Sequence, residues 1–435
     1  MGAACCIGSA AGSTTFDGSF LSAAAGLFFA HTQGVLSPWS VGMALLLGAV
    51  IMYVALILAT PKEVQMTAAE CTYITAEEPN DPTPLPRLTE EPTVQLTVVV
   101  PMYNEAKRLG SMLDDALTWL ESVRKSGEPL AQPAPQALPN YVTTPAAEAA
   151  APLTQPLRTY EVLLVDDGSQ DRTCEVAMTY AHEHPLAPGA EVRLTRMHYN
   201  RGKGAAVRHG VMHARGAFIL FADADGATRF SDLAKVAREM SRILTPMGQG
   251  IVVGSRAHLV TSEAVVKRSF LRNMLMRCFH VILSVLMRPP SIATIWPRVV
   301  PSGAKVQRLP QQPEILDTQC GFKLFSRATA QLLFPLAHID RWIFDVELLL
   351  LAEMACRVSE AQHVLRPESQ RGDGHDTLLR LPLPISEVAV HWTEIDGSKI
   401  HLLSDSMRMG RDLIVIRLNY WLGRWRSPPS IYARL

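Results

Sequence analysis

LTVVVPMYNE, residues 96–105, is a short run of apolar and β-branched side chains that breaks abruptly into proline, tyrosine, asparagine and glutamate. An apolar run of this kind, without alternation, is the pattern of a strand covered on both faces. Helical periodicity follows from Ala106 to Val123, and the same order then recurs. EVLLVDD (161–167) precedes a helical stretch from Thr173 to His182, and VRLTRM (192–197) precedes one from Gly204 to Ala214. AFILFADAD (217–225) is a fourth such strand, ending in acidic residues. Strand–helix alternation predicts an α/β fold, a mostly parallel sheet with helices on both faces. Ligands bind such sheets beyond the C-terminal ends of the strands. The residues that end each strand are therefore the ones to read for chemistry.

Strand one ends in Pro101-Met102-Tyr103-Asn104-Glu105, strand two in Asp166-Asp167-Gly168-Ser169 with Asp171 and Thr173 close behind, and strand four in Asp223-Ala224-Asp225-Gly226. Any one of these clusters alone reads as a turn that caps the next helix. Three of them on adjacent strand ends read as a site. Asp223 and Asp225 are two residues apart, so an extended chain directs both carboxylates the same way. Two hard oxygen donors without His or Cys suit Mg²⁺ or Mn²⁺, with substrate phosphates completing the shell. Asn200-Arg201-Gly202-Lys203-Gly204 opens the third helix, with Arg208 and His209 one turn later. Its glycines allow close backbone approach, and a helix N-terminus beside Lys203 favours an anion. No glycine stands where a Walker loop requires one, and Gly204 replaces its Ser or Thr. Phosphate binding of this sort, beside an acidic pair, points to a nucleotide-diphosphate sugar rather than to ATP hydrolysis.

The chain has 435 residues, with 41 basic and 41 acidic side chains, which argues against a nucleic-acid binder. Its charged content is 19% and its mean hydropathy is +0.11, which excludes a wholly disordered chain. Much of that hydropathy sits in one place. No Lys, Arg, Asp or Glu occurs from Gly18 to Pro61, and Val41–Ala59 is long enough to span a bilayer. The absence of any Lys or Arg in residues 1–39 argues against a cleaved signal peptide, so an uncleaved anchor is expected over residues 39–61, behind a leader at 1–38. Lys62 follows the span and places the remainder in the cytosol by the positive-inside rule. Phe20–Ala30 is a shorter apolar run that would make a second, partial segment. The cysteines are scattered without CxxC, as in a reducing compartment and without zinc. Residues 62–93, rich in Pro, Thr and Glu, read as a linker, and 127–158, 288–314 and 364–384 read as insertions in a domain running from 94 to 400.

The clusters PMYNE, VDDGSQDRT, NRGKGAAVRHG and ADADG, in that order, resemble the family 2 glycosyltransferases. The resemblance implies the type-A fold, a Rossmann-like, mostly parallel sheet. VVGSRAHL (252–259), DTQCGFKLFSR (317–327), RWIFDVELLLLAEM (341–354) and ISEVAVHWTEIDGSKI (385–400) are similar to the dolichyl-phosphate β-glucosyltransferases within that family. What this implies is inverting transfer of glucose from UDP-glucose to dolichyl phosphate, for protein N-glycosylation, on the cytosolic face of the endoplasmic reticulum. Pro101, Tyr103, Glu105 and the Asp166–Asp167 pair would border the nucleotide, one of the two aspartates pairing with uracil. Asp223 and Asp225 would hold a divalent cation, Mg²⁺ or Mn²⁺, on the diphosphate. The neighbouring alternative is a dolichyl-phosphate mannose synthase using GDP-mannose.

Charge develops on the diphosphate as it leaves, and the metal with Lys203 or Arg201 would stabilise it. A phosphate monoester acceptor has a second pKa of about 6, as in phosphoserine, and needs no strong base at pH 7. It needs cations, and Arg256, Lys323, Arg341 and Lys399 are the candidates. Asp225, Arg256, Lys323 and Asp345 form the expected catalytic group; Asp317 and Asp345 would serve as bases only for an alcohol acceptor, and Asp345 otherwise orients a cation. Residues 266–288 and 407–426 mix Lys/Arg with bulky apolar side chains, as helices lying in a membrane interface do, and 401–435 is read as such a C-terminal segment. A processive polysaccharide synthase is disfavoured, because neither Arg341-Trp342 nor Arg424-Trp425 completes a QxxRW motif. The intact acidic clusters likewise disfavour a catalytically dead adaptor.

Overall fold

A computed structural model describes residues 38–62, 64–131, 145–245, 247–259, 315–358, 380–395 and 402–428. The chain divides into two compact units, Met1–Thr60 and Pro61–Leu435. In the first, helix α1 (Pro38–Ala59) carries no acidic residue in its first turn and no basic one in its last. Its Trp39–Ala59 stretch has a mean hydropathy of 2.7 and is the one helix, among the described residues, long and apolar enough to cross a membrane. At 1.5 Å per residue α1 is about 33 Å long, which matches a bilayer core. Leu45, Leu46, Ile51 and Leu58 all stand exposed on it, an arrangement that water penalises and lipid does not. The Phe20–Ala30 run lies outside the described residues.

The elements of the second unit begin with β1 (Thr72–Tyr73), β2 (Thr83–Pro84), β3 (Val94–Met102), α2 (Leu109–Ser126), α3 (Pro145–Thr154), β4 (Tyr160–Asp166), α4 (Thr173–Glu183), β5 (Ala190–Arg196) and α5 (Lys203–Met212). They continue with β6 (Gly216–Ala222), α6 (Leu233–Ile243), β7 (Ile251–Ser255), β8 (Phe322–Ser326), α7 (Arg327–Leu333), α8 (Phe344–Met354), β9 (Cys356–Val358), β10 (Arg380–Pro382), β11 (Ile385–Ala389) and α9 (Leu402–Trp421). Seven strands form one sheet in the order β11-β7-β8-β6-β3-β4-β5. All neighbours are parallel except β8, which runs antiparallel to both β6 and β7. The four strands expected from the sequence are β3, β4, β5 and β6. The reversed strand was not foreseen, and it matters for the site. Because β8 runs the other way, the residues that precede it, 317–321, arrive at the same rim as the ends of the parallel strands.

Strand β3 pairs β4 from Leu96↔Tyr160 to Met102↔Asp166, so both segments end together. Leu96, Val98 and Val100 point into one apolar layer with Leu109, Leu113 and Leu120 of α2. The buried positions of α2 recur at 109, 112, 113, 116, 117 and 120, the three-and-four spacing that puts one helical face on the sheet. Each such leucine contributes about 1.5–3 kcal/mol by leaving water. On the opposite face, α5 lies so close that a Cβ at Gly210 would run into Val99 and Val165. That closeness fixes the height of α5 above the sheet, and with it the start of the helix at Lys203.

Two stretches read as loops are folded. Residues 64–93 are a belt rather than a linker. Ile74 exchanges two backbone hydrogen bonds of 2.9 Å with Leu194 at the β5 edge of the sheet. Leu85 and Leu88 are buried, and the Leu88 N–H donates to the Met212 carbonyl at the end of α5. Arg327 donates to the carbonyls of Glu90 and Arg87. Composition misleads here because prolines and threonines that suit a linker also suit an extended strap with its hydrogen bonds made elsewhere. Within 127–158, residues 145–154 form α3, whose Leu153 is fully buried in the α2-side core. The stretches 260–314, 359–379 and 396–401, which include the expected insertion at 288–314, most of 364–384 and the basic apolar stretch 266–288, lie outside the described residues.

Candidate active site

The rim is assembled by side chains that tie one strand-end loop to the next. After β3, Asn104 adopts a left-handed conformation (φ 52°). Its N–H donates to Ser169 Oγ at 2.8 Å, and its Oδ1 accepts from the Gln170 N–H at 2.8 Å. The Glu105 N–H donates to Thr173 Oγ1 at 2.7 Å, while its carboxylate pairs with Arg108 at 2.6 Å. The loops carrying Pro101–Glu105 and Asp166–Thr173 therefore form one continuous wall.

Asp166 is fully buried, accepting from the Ser169 N–H and lying 3.3 Å from Arg196 Nε. Asp167 accepts from the backbone N–H groups of Arg201 and Gly202, both at 2.8 Å. Burial pushes the Asp167 carboxyl up to about 6, against those two hydrogen bonds, which lower it. Gly202 has φ 116°, and a Cβ there would meet the Asp340 carbonyl at 2.5 Å. Only glycine fits that turn, which delivers Lys203 to the first position of α5.

Lys203 Nζ lies 2.7 Å from Asp223 Oδ1 and 2.9 Å from Oδ2. Burial works against its charge, but Asp223, Asp345 and Asp225 together raise its pKa. Its ammonium also faces the rings of Phe221 and Trp342. Strand β6 ends at Ala222, and Ala224–Asp225 form a turn, so the acidic pair is not the extended dipeptide expected. Asp223 has its N–H on the Gly321 carbonyl at 3.0 Å. Asp225 accepts from the Ala227 N–H at 3.0 Å, and burial followed by the charge of Asp223 raises its pKa. Beneath them Lys323 Nζ is 2.7 Å from Asp345 Oδ1 and donates to the Cys320 carbonyl. Burial drives the Asp345 carboxyl up, with Lys323 and Lys203 opposing it.

Asp223 and Asp225 lie close enough that the charge of Asp223 raises the Asp225 pKa. That repulsion between two hard oxygen donors is what a bound cation would relieve, so the donor set fits one. No group of three or more His, Cys, Asp or Glu side chains is gathered for a metal among the described residues. Two carboxylates would hold the ion, with phosphate and water supplying the remaining oxygens.

Several expected residues are placed differently. Arg256 is not a free cation: its Nε and Nη2 pair with Asp317 at 2.7 and 2.9 Å, and its guanidinium lies over Trp392. That pairing holds the Asp317 carboxyl below its usual range in spite of burial. Lys323 is 1% exposed and committed to Asp345, so it lies under the site rather than facing an acceptor. Arg201 is turned away from the rim, its Nη2 bonded to Glu70 at 2.7 Å. Arg208 is held by Asp340 and the Ala337 carbonyl. Arg341 is exposed and flanks Gly202, so it does stand at the rim. Lys399 lies outside the described residues.

Comparison with known proteins adds the family. Residues 149–259 match the family described as Glycosyl transferase family 2. A dolichyl-phosphate β-glucosyltransferase from Drosophila melanogaster is 40% identical over 343 residues, 78% of this chain and 80% of its own length. The chain belongs to the dolichyl-phosphate β-glucosyltransferase family. The Dictyostelium discoideum member is 38% identical over 77% of both chains. Among solved structures, glucosyl-3-phosphoglycerate synthase from Mycobacterium tuberculosis in complex with UDP is 14% identical, with a TM-score of 0.34 over 75% of this chain and 80% of that one.

Within this family member, two residues that shape the rim were not visible as such in the sequence. Glu70 lay in an apparent linker. Gly321 was only one letter of the QCGFKLF block, yet a Cβ there would fall inside the Asp223 carboxylate. A glycine just ahead of an apolar strand was the available signal. Gly321→Ala is expected to displace Asp223 and lower kcat by roughly 10–100-fold, because misplacement of about 1 Å costs up to 10²-fold. Steady-state transfer assays on the full-length protein check this, and an unchanged kcat removes Asp223 from the chemistry.

Proposed function

We propose that the chain transfers glucose from UDP-glucose to dolichyl phosphate with inversion, on the cytosolic face of the endoplasmic reticulum, supplying lipid-linked glucose for N-glycosylation. The observation that carries this reading is the Lys203–Asp223 pair with Asp225 beside it, at the C-terminal rim of a parallel sheet in a member of this family. The wall formed by Pro101, Tyr103, Glu105 and the Asp166–Asp167 turn borders the nucleoside. Asp223 and Asp225 would hold Mg²⁺ or Mn²⁺, which would supply charge stabilisation to the departing diphosphate. Lys203, charged at neutral pH, shares that task from the helix terminus. A donor diphosphate would give Lys203 a phosphate partner beside Asp223, the carboxylate that would take the ion.

The acceptor brings its own nucleophile. A dianionic phosphate oxygen attacks without losing a proton, so the site needs cations and exclusion of water rather than a general base. Arg341, exposed beside Gly202, is the rim cation placed to meet it. Asp345 does not act as a base in this scheme; it holds Lys323. Access from the membrane is supplied by α1 as anchor and by α9 as an interfacial helix. Leu413, Val415, Ile416 and Asn419 of α9 are buried, while Met407, Ile414 and Trp421 stand exposed beside Arg408 and Arg411, whose charges are paired with Asp405 and Asp412. Exposed bulky apolar side chains set among charged ones are what an interfacial helix presents to a headgroup boundary.

Microsomes carrying the expressed protein, given dolichyl phosphate and either labelled UDP-glucose or labelled GDP-mannose, test the proposal. Label is expected in the lipid from UDP-glucose alone. Exclusive use of GDP-mannose overturns the donor assignment and leaves the scaffold reading in place.

A further inference from the structure

Glu70 is 1% exposed, in a short turn (Ala69–Cys71) of the belt that follows the apolar helix in sequence. A buried carboxylate is costly unless its lone pairs are filled. Here they are. Glu70 Oε2 accepts from the N–H and the hydroxyl of Thr67, at 2.8 and 2.9 Å. Oε1 accepts from the His198 N–H at 2.8 Å and from Arg201 Nη2 at 2.7 Å. Burial alone would raise its pKa, but those bonds from His198 and Thr67, with the Arg201 charge, bring it down to about 2. The group is therefore a fixed anion at any working pH.

Its partners are the two ends of the loop that leads into Lys203. The other hold on that loop is Asp167, which takes the N–H groups of Arg201 and Gly202. Arg201 is thus gripped through its backbone by the domain and through its side chain by the belt. Its Nη1 rests on Met66 Sδ, and its Nε is buried with no hydrogen-bond partner among the described residues.

We infer that Glu70 is a positioning residue for the nucleotide-sugar site: the belt segment clamps Arg201 and so sets where Lys203 meets Asp223 and the donor diphosphate. The sequence between anchor and domain is then part of the active site's support, and a catalytic fragment beginning at residue 94 lacks it. The inference rests on the reading of Lys203 as the diphosphate's cation, given above.

The test uses full-length protein in detergent–lipid micelles, measuring folded fraction, kcat, and KM for UDP-glucose and for dolichyl phosphate. Glu70→Gln removes the charge and is expected to raise KM for UDP-glucose about tenfold or more, the worth of a hydrogen bond to a charged group. KM for dolichyl phosphate is expected to stay unchanged. Because this variant leaves Arg201 buried and uncompensated, Glu70→Gln with Arg201→Met is made beside it. The pair keeps an acceptor for the His198 N–H and removes both charges, so folded fraction returns while the raised donor KM remains. Wild-type donor KM in the double variant, or equal rises in both KM values, overturns the inference and leaves Glu70 a purely structural ion pair. Lys203→Ala is the separate arm. If it leaves donor kinetics intact, the site reading itself fails; if it abolishes transfer while the Glu70 variants bind donor normally, only the clamp fails.

Discussion

Asp225→Asn is expected to lower kcat by about 10²–10³-fold, the usual cost of removing one group that stabilises transition-state charge, while thermal stability holds or rises slightly. The two effects have one cause. The Asp225 carboxyl has its pKa raised, first by burial and then by Asp223. A group whose folded pKa lies above its unfolded one contributes stability at low pH, and that contribution is gone once the pH has risen past the folded value. At neutral pH the ionised Asp225 is therefore a strain on the fold, and a neutral amide relieves it. Asparagine keeps an oxygen to accept the Ala227 N–H, so the turn survives. What is lost is one of two carboxylates available to a cation, and the half-saturating concentration of Mg²⁺ or Mn²⁺ is expected to rise with the fall in kcat. Metal titrations of transfer activity, set beside thermal unfolding of the same preparation, check both halves. Full activity in Asp225→Asn removes the metal role from this residue.

The four strands and helices that position the rim were legible because each is a local signal. A β-branched run, a polar break and an amphipathic helix recur with short spacings, and a mostly parallel sheet follows from that repetition. Asp166, Asp167, Lys203, Asp223 and Asp225 were legible for the same reason, since each stands at the end of a readable strand or at the start of a readable helix. The partners of the cations were not. Arg256 meets Asp317 across 61 residues of chain and Arg201 meets Glu70 across 131. Composition records that arginines and carboxylates are both present and nothing about which pairs close. The reversed strand β8 was hidden in a different way. FKLFS is too short to show a direction, yet its direction is what carries Cys320 and Gly321 to Asp223.

The second large effect concerns that strand. Lys323→Met is expected to destabilise the protein by about 3–5 kcal/mol, the range for stripping one partner from a buried ion pair. The side chains of Lys323 and Asp345 are 2% and 3% exposed, so water cannot compensate the carboxylate left behind. The loss depends on pH in a defined sense. Burial already raises the Asp345 pKa, and without Lys323 it rises further. The variant's stability then is greatest where Asp345 is protonated and falls as pH rises through that value. Unfolding at pH 5.5 should show a smaller deficit than unfolding at pH 7.5. Adding Asp345→Leu removes the stranded charge and recovers most of the stability at both values, since buried ion pairs can be replaced by apolar packing without loss. Activity separates scaffold from chemistry. Asp345 also helps to hold the charge on Lys203, whose pKa is raised by Asp223, Asp345 and Asp225 in that order. The double variant is therefore expected to fold normally and still transfer slowly, with the deficit in kcat rather than in the KM for dolichyl phosphate. Normal kcat in the double variant reduces Lys323 and Asp345 to packing, and leaves the leaving-group stabilisation to Lys203 and the cation proposed at Asp223 and Asp225.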